Sequence, residues 1–129
     1  MPEPIVFIST HKIKEGKLDD FTRFSREMTP LIEASKPNTV FFQPYLNEAG
    51  NEVTIIHVFP DADSMDSHFQ GADQRSARAY EFLQPVHFEI YGTPSDQVLS
   101  TMRQETTTLG APLTLKSQPL AGFIRLGSG

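Results

Sequence analysis

Residues 53–59 read Val-Thr-Ile-Ile-His-Val-Phe, and residues 60–69 read Pro-Asp-Ala-Asp-Ser-Met-Asp-Ser-His-Phe. The first segment is rich in β-branched residues and predicts a strand that ends at the proline. The second has apolar residues four apart, and aspartates at its start that can cap a helix. This junction sets the register of the elements around it. Because the strand carries His57 and the helix carries His68, it is also the first candidate for a functional site.

The elements on either side of this junction predict an α+β domain. Residues 1–92 have the order βαββαβ, which is the ferredoxin-like arrangement of a four-stranded antiparallel sheet with both helices on one face. Pro44 cannot donate a ladder hydrogen bond, so we expect the second strand to lie at a sheet edge. Strands are predicted at Ile5–His11, Thr39–Leu46, Val53–Phe59 and Val86–Tyr91, and helices at Lys17 to about Ala34, after Pro60 and, beyond an interruption at Gly71, at Asp73–Phe82.

The second face of the predicted sheet also carries large apolar side chains. Neighbouring residues of a strand point to opposite faces, as Phe41 and Phe42 do, and likewise Ile55 and Ile56. Two helices cover one face only, so the other face requires a different cover. A partner subunit is the natural one.

Residues 93–129 form a C-terminal extension that is too short to fold alone. Pro94 stands near the start of a predicted helix, and residues 106–112 predict a loop. Two short strands are predicted at Leu113–Lys116 and Gly122–Leu126. We expect this extension to pack on the domain or on a partner subunit.

Composition narrows the range of functions. The 129 residues carry 16 acidic and 11 basic side chains, for a formal net charge of −5, without a basic cluster. This charge argues against nucleic acid and anionic membranes as partners. The chain has no cysteine, which excludes disulfides and thiolate chemistry, and its start lacks the pattern of a signal peptide. These features fit a cytoplasmic protein.

The segment from Ile5 to Tyr91 resembles the antibiotic-biosynthesis-monooxygenase-like domain of the dimeric α+β barrel superfamily. The matching features are the run His11–Lys17 after the first strand, the Phe41-Phe42-Gln43 strand, and the helix from Ser64 to His68. The resemblance implies a homodimer whose sheets pack face to face into a barrel. Members of that family include quinol-type monooxygenases and haem-degrading enzymes, so the resemblance implies an activity of one of these kinds.

The chain departs from the haem-degrading members of that family. Those proteins use a Trp at the end of the third strand and a His late in the second helix, where this chain has Phe59 and about Arg78. Quinone-forming members also tend to use a Trp, and this sequence contains none. The comparison therefore implies the same scaffold with different side chains in its pocket.

Two histidines are the candidates for catalysis. His57 shares an apolar row with Ile55 and Phe59, where a neutral imidazole near pH 7 suits proton abstraction from a phenol. His68 lies where the resembled family usually has a histidine. The alternatives are a core histidine held by a neighbour for His57, and a surface residue for His68.

Aromatic and polar residues supply the predicted substrate contacts. The predicted apolar walls are Phe41, Tyr45, Phe59 and Phe69, and the predicted polar contacts are His87 and Tyr91, which share a strand face with Glu89. The alternative is that the phenylalanines fill the core and that the polar residues face solvent. We predict no metal site, because a metal needs several converging ligands, and His57 and His87 lie on different strands and can meet only if they share a sheet face.

Two functions follow from the sequence. The first is a cofactor-independent monooxygenase, an oxidoreductase that acts on a small aromatic, quinol or polyketide-like substrate in a Phe-lined pocket. The second is a non-catalytic small-molecule-binding or stress-related dimer of the same fold. An open pocket that reaches His57 would favour the enzyme, whereas a packed interior with His57 and His68 bonded to backbone would favour the binding module.

Overall fold

The computed structural model describes residues 3–125, which form four helices and one five-stranded sheet. The sheet order is β2-β3-β1-β4-β5, antiparallel except for β5, which runs parallel to β4. The elements are β1 Ile5–Ile13, α1 Leu18–Ser35, β2 Phe41–Leu46, β3 Glu52–Phe59, α2 Ala62–Phe69, α3 Ala72–Ala79, β4 Leu83–Tyr91, α4 Asp96–Leu109 and β5 Leu113–Lys116. The predicted ferredoxin-like α+β class is confirmed, and the four-stranded sheet predicted for it gains a fifth strand, the one predicted at Leu113–Lys116 in the extension.

The register of the central strands sorts side chains onto two faces. Phe7 of β1 lies opposite His57 of β3 and opposite Ile90 of β4. Side chains alternate along each strand, so these three residues share the face that the helices cover. We call this the cavity face, and the opposite one the open face. The cavity face carries Ile5, Phe7, Ser9, His11, Phe42, Pro44, Val53, Ile55, His57, Phe59, Phe88 and Ile90.

Two apolar clusters hold the helices to the cavity face. One lies under α2 and α4, where Phe59, Met65 and Met102 are almost fully buried. The other lies under α1, where Phe21 and Phe24 pack against Val53 and Leu83. The helices therefore touch the sheet at both ends of the cavity face.

The junction from which the fold was predicted forms as expected. Asp61 is the N-cap of α2 and accepts a hydrogen bond from the Ser64 backbone N–H at 2.8 Å. Gly71, with φ of +76°, separates α2 from α3, because a left-handed backbone ends the helical hydrogen bonding. The edge position predicted for Pro44 is confirmed, since β2 is the outer strand of the sheet.

Three local predictions were wrong. The loop predicted at residues 106–112 is helical as far as Leu109, where Gly110 ends α4 with φ of +70°. The strand predicted from Val86 begins at Leu83 instead, so Pro85 lies within β4, at the register shift opposite His11, where a missing N–H is tolerated. Residues 122–125 form no strand, and Leu126 lies outside the described residues.

The extension joins the sheet. Thr114 of β5 pairs with Glu89 of β4, and Gly92 donates its backbone N–H to the Lys116 carbonyl at 2.9 Å. Val98 of α4 belongs to the main apolar cluster. The helices in residues 3–125 include none long and apolar enough to cross a membrane.

Candidate functional site

A cavity of about 480 Å³ lies between the cavity face and the helices. Aromatic and aliphatic side chains supply most of its exposed wall, and about half of the lining residues are polar or charged. The apolar lining includes Phe7, Phe21, Phe24, Met28, Ile32, Phe42, Phe69, Phe88 and Met102, and the polar lining includes Ser9, His11, His57, His68, Arg75, Tyr80 and Glu105. A cavity of this size and composition fits a small, largely apolar ligand.

His57 lies in the cavity with a defined tautomer. Its Nδ1 is 3.1 Å from the Phe7 carbonyl oxygen, and a carbonyl can only accept, so Nδ1 carries the proton. Nε2 is therefore a hydrogen-bond acceptor. The rings of Phe7 and Phe42 lie 4.9 and 5.2 Å from the imidazole, centroid to centroid. Burial lowers the pKa of His57 to about 4, so the ring is neutral at pH 7.

His68 lies beside His57. The two ring centroids are 5.2 Å apart at an interplanar angle of 80°. The Nδ1 atom of His68 shares a hydrogen bond with the Thr39 hydroxyl at 2.7 Å. Burial, followed by the charges of His57 and Arg75, lowers the pKa of His68 to about 3. The structure therefore brings together the two predicted catalytic residues as neutral imidazoles on one cavity wall.

Two cations hold the end of α2 from which His68 projects. Lys36 donates to the carbonyls of Ser67 and Gln70 at 2.7 and 3.0 Å, and Arg75 donates to the His68 carbonyl at 2.6 Å. Cations near a helix C-terminus satisfy its last carbonyls and complement its dipole. These contacts hold the backbone around His68, and the hydrogen bond with the Thr39 hydroxyl holds its ring.

A third histidine, His11, also lines the cavity. It is 4% exposed, and its Nδ1 has no hydrogen-bond partner within residues 3–125. Its ring lies 6.2 Å from those of Tyr80 and Phe88, and burial lowers its pKa to about 4. Sequence reasoning noted His11 only within a family-like run. Its two-residue spacing from Phe7 and Ser9 would have placed it on the same face.

Two other ionisable groups of the cavity lining, Tyr80 and Glu105, have raised pKa values. Burial, then the charge of Glu105, raises the pKa of Tyr80 to about 12. Burial, then the charge of Asp73, raises the pKa of Glu105. Sequence reasoning missed both residues. Glu105 follows Met102 at the three-residue spacing of one helix face, which was the available signal.

The other predicted substrate contacts are divided between the two faces. Phe69 lines the cavity, whereas Phe59 is fully buried in the core, with its ring 5.1 Å from that of His68. Phe41, Tyr45, His87 and Tyr91 lie on the open face, away from the cavity.

On the open face, the polar candidates are held by neighbours. His87 Nε2 shares a hydrogen bond with the Thr114 hydroxyl at 2.8 Å, and the Tyr91 hydroxyl donates to Glu89 at 2.6 Å. Within the part of the chain that the structure describes, no group of three His, Asp or Glu side chains is placed to hold a metal ion. The ionisable groups that line the cavity are three imidazoles, the phenol of Tyr80, the guanidinium of Arg75 and the carboxyl groups of Asp66, Asp73 and Glu105.

No sequence profile of a known family matches the chain, and no curated protein matches it either. Solved structures of similar fold do exist. MupZ from Pseudomonas fluorescens is 15% identical, with a TM-score of 0.70 over 95% of this chain and 94% of that protein. A candidate antibiotic biosynthesis monooxygenase from Bacteroides thetaiotaomicron is 13% identical, with a TM-score of 0.59 over 96% of both chains.

The cofactor-independent oxygenase SnoaB from Streptomyces nogalater is also similar in fold. It is 13% identical, with a TM-score of 0.59 over 71% of this chain and 94% of SnoaB. Identities this low establish the fold alone. The chain therefore has the fold of the antibiotic-biosynthesis-monooxygenase-like domain, as the sequence predicted.

Proposed function

We propose that this protein is a cofactor-independent monooxygenase that acts on a small aromatic, quinol or polyketide-like substrate. The observation that carries the proposal is the pairing of His57 and His68 as neutral imidazoles on one wall of a largely aromatic cavity. His57 offers the unprotonated Nε2 that a general base requires. SnoaB, whose fold is similar, is named as an oxygenase of this kind.

The geometry of His57 supports proton abstraction from a substrate hydroxyl. Burial lowers its pKa, whereas the hydrogen bond to the Phe7 carbonyl raises it by stabilising the imidazolium. When a phenol gives its proton to Nε2, the product is an ion pair with no net charge. An apolar cavity disfavours such a pair much less than it disfavours a lone charge.

The substrate supplies the electrons for the reaction. Loss of a proton from a quinol, SH2, leaves an electron-rich anion that reduces O2. One oxygen atom joins a carbon of the substrate, and the other leaves as water with the two hydrogens that the substrate loses. The overall change, SH2 + O2 → SO + H2O, balances without another reductant. The protein contributes the base, the orientation of the ring and the exclusion of bulk water.

The proposal is tested by oxygen consumption with a panel of naphthohydroquinones and anthrones. We expect His57→Gln to lower kcat by roughly 10²- to 10⁴-fold, the usual contribution of a general base. His68→Gln should also lower it. The exposed neighbour Ser67, as Ser67→Ala, is the matched control. Unchanged turnover in both histidine variants would remove them from the mechanism.

A second candidate is a non-catalytic module that binds the same class of molecule. Burial lowers the pKa of His57 to about 4 and that of His68 to about 3, which favours this candidate, because neutral imidazoles can accept hydrogen bonds from a ligand while their protonation is disfavoured. Binding of the quinol panel without any oxygen consumption above the uncatalysed rate would select this function.

We also propose that the protein forms a homodimer through the open face. No helix of residues 3–125 covers this face, although it carries Val6, Ile8, Ile56 and Val58 on its central strands. Phe41 extends the apolar surface along β2 and is 38% exposed. A second copy of the sheet, packed face to face, would bury this surface.

A further inference from the structure

The cavity has a second polar end, distinct from the wall formed by His57 and His68. His11 lies four residues along β1 from Phe7, the residue that pairs with His57. Four residues of strand span roughly 13 Å, which sets the separation of the two ends along the sheet. A ligand that fills the cavity therefore meets polar groups at both of its ends.

His11 indicates that this end takes a ligand. Its side chain is 4% exposed and lines the cavity, and its Nδ1 lacks a hydrogen-bond partner among residues 3–125. Buried polar groups are nearly always paired, so a buried imidazole that lines a cavity and has an unpaired nitrogen indicates a partner that enters the cavity. A hydroxyl suits this position, because it can donate to an imidazole nitrogen or accept from one.

Tyr80 and Glu105 belong to this end, because the Tyr80 ring lies 6.2 Å from that of His11 and the charge of Glu105 acts on Tyr80. Tyr80 follows α3 and is held by Lys14, whose ammonium donates to the Tyr80 carbonyl at 2.6 Å. Glu105 comes from α4, within the C-terminal extension, and both side chains line the cavity. The carboxyl group of Glu105 offers hydrogen bonds to a hydroxyl that already contacts His11.

We propose that His11 and Glu105 form a second hydroxyl-binding subsite, and that the preferred ligand is an aromatic molecule with oxygen functions at both ends. The inference rests on the proposed function, since it specifies the substrate of the same cavity. One hydroxyl lies at His57 Nε2 and reacts, whereas the other contacts the His11 imidazole and positions the ring system. The subsite therefore selects a diol over the corresponding monohydroxy compound.

The test compares 2,6-dihydroxynaphthalene with 2-naphthol, which lacks one hydroxyl group. Titration calorimetry gives the Kd of each, and we expect the wild type to bind the diol roughly tenfold more tightly. His11→Phe and Glu105→Met should each remove most of this preference and change the Kd of 2-naphthol less than that of the diol. The exposed carboxylate Glu81, as Glu81→Met, is the matched control and should retain the preference.

Several outcomes would overturn the inference. They are equal Kd values in the wild type, a diol preference that survives both substitutions, and failure of the wild type to bind either compound. Glu105→Met keeps an unbranched side chain on a helix, so it remains informative if His11→Phe does not fold. Oxygen consumption separates this inference from the proposed function, because a diol preference without turnover supports the subsite and contradicts the oxygenase.

Discussion

At the level of single residues, the cavity is unusual in holding three buried neutral histidines. Burial lowers the pKa of His11 and His57 to about 4 and that of His68 to about 3, against 6.5 in an unfolded chain. Below pH 6.5 the unfolded chain binds protons that the folded protein does not. Each buried neutral histidine therefore leaves the unfolding free energy at its full value above pH 6.5, and the unfolding free energy decreases as the pH falls towards 4.

This difference predicts a pH dependence of stability. Between pH 6.5 and 5.5, each of the three histidines should lower the unfolding free energy by about 1 kcal/mol. His68→Gln should remove about a third of that decrease. Glu105 has a raised pKa, so its contribution to the unfolding free energy changes with pH in the opposite direction. Comparing the variant with wild type cancels this contribution, because both carry Glu105. Urea denaturation at the two pH values measures the effect.

The matched control for this experiment is His87→Gln on the open face. It leaves the three cavity histidines intact, so the variant should keep their full contribution to the decrease in unfolding free energy between pH 6.5 and 5.5. If His68→Gln and wild type lose the same free energy between pH 6.5 and 5.5, His68 is not buried in the neutral state described above.

At the level of secondary-structure elements, Ser95 links α4 to α2. Its hydroxyl oxygen accepts from the Val98 backbone N–H at 3.1 Å and donates to the Asp66 carboxylate at 2.5 Å. Ser95→Ala removes both the helix cap and the link, and we expect a loss of about 1–2 kcal/mol in unfolding free energy. Ser100→Ala, an exposed position on the same helix, is the control and should change stability little. Equal free energies of unfolding for the two variants would contradict a role for the cap.

The elements that could be predicted from sequence are those with local signals. The strand and helix that contain His57 and His68 were predicted because β-branched residues, a proline and a capping aspartate mark their limits. The last turn of α4 was missed, because a run of threonines has weak helix propensity. Packing of Leu109 against the core and the left-handed Gly110 outweigh that propensity.

In the candidate site too, only the residues with a local sequence signal could be predicted. His57 and His68 were predicted because each stands out within its own element. The contributions of His11, Tyr80 and Glu105 depend on the pairing of β1 with β3 and on the packing of α4, both of which involve residues far apart in sequence. Local patterns do not encode such long-range register.

At the level of the whole molecule, the two faces of the sheet differ. One lines the candidate catalytic cavity, and the other is an apolar surface that no helix covers among residues 3–125. The cavity face binds the helices and encloses the histidines, whereas the open face presents an apolar row along its central strands. Ile8 and Ile56 lie opposite each other in the middle of this row. Their position makes the open face testable without any change to the cavity.

Ile56→Glu should therefore dissociate the proposed homodimer, because it places a charge at the centre of the interface where no partner for it is expected. The side chain points away from His57, so each protomer should keep its fold, as far-UV circular dichroism would verify. Light scattering at micromolar concentrations should give twice the chain mass for wild type and the chain mass for the variant. Leu31→Glu is the control, since Leu31 is 60% exposed on α1, away from the open face. A wild type that is monomeric in this measurement would contradict the dimer, and an Ile56→Glu variant that stays dimeric would show that the subunits associate through another surface.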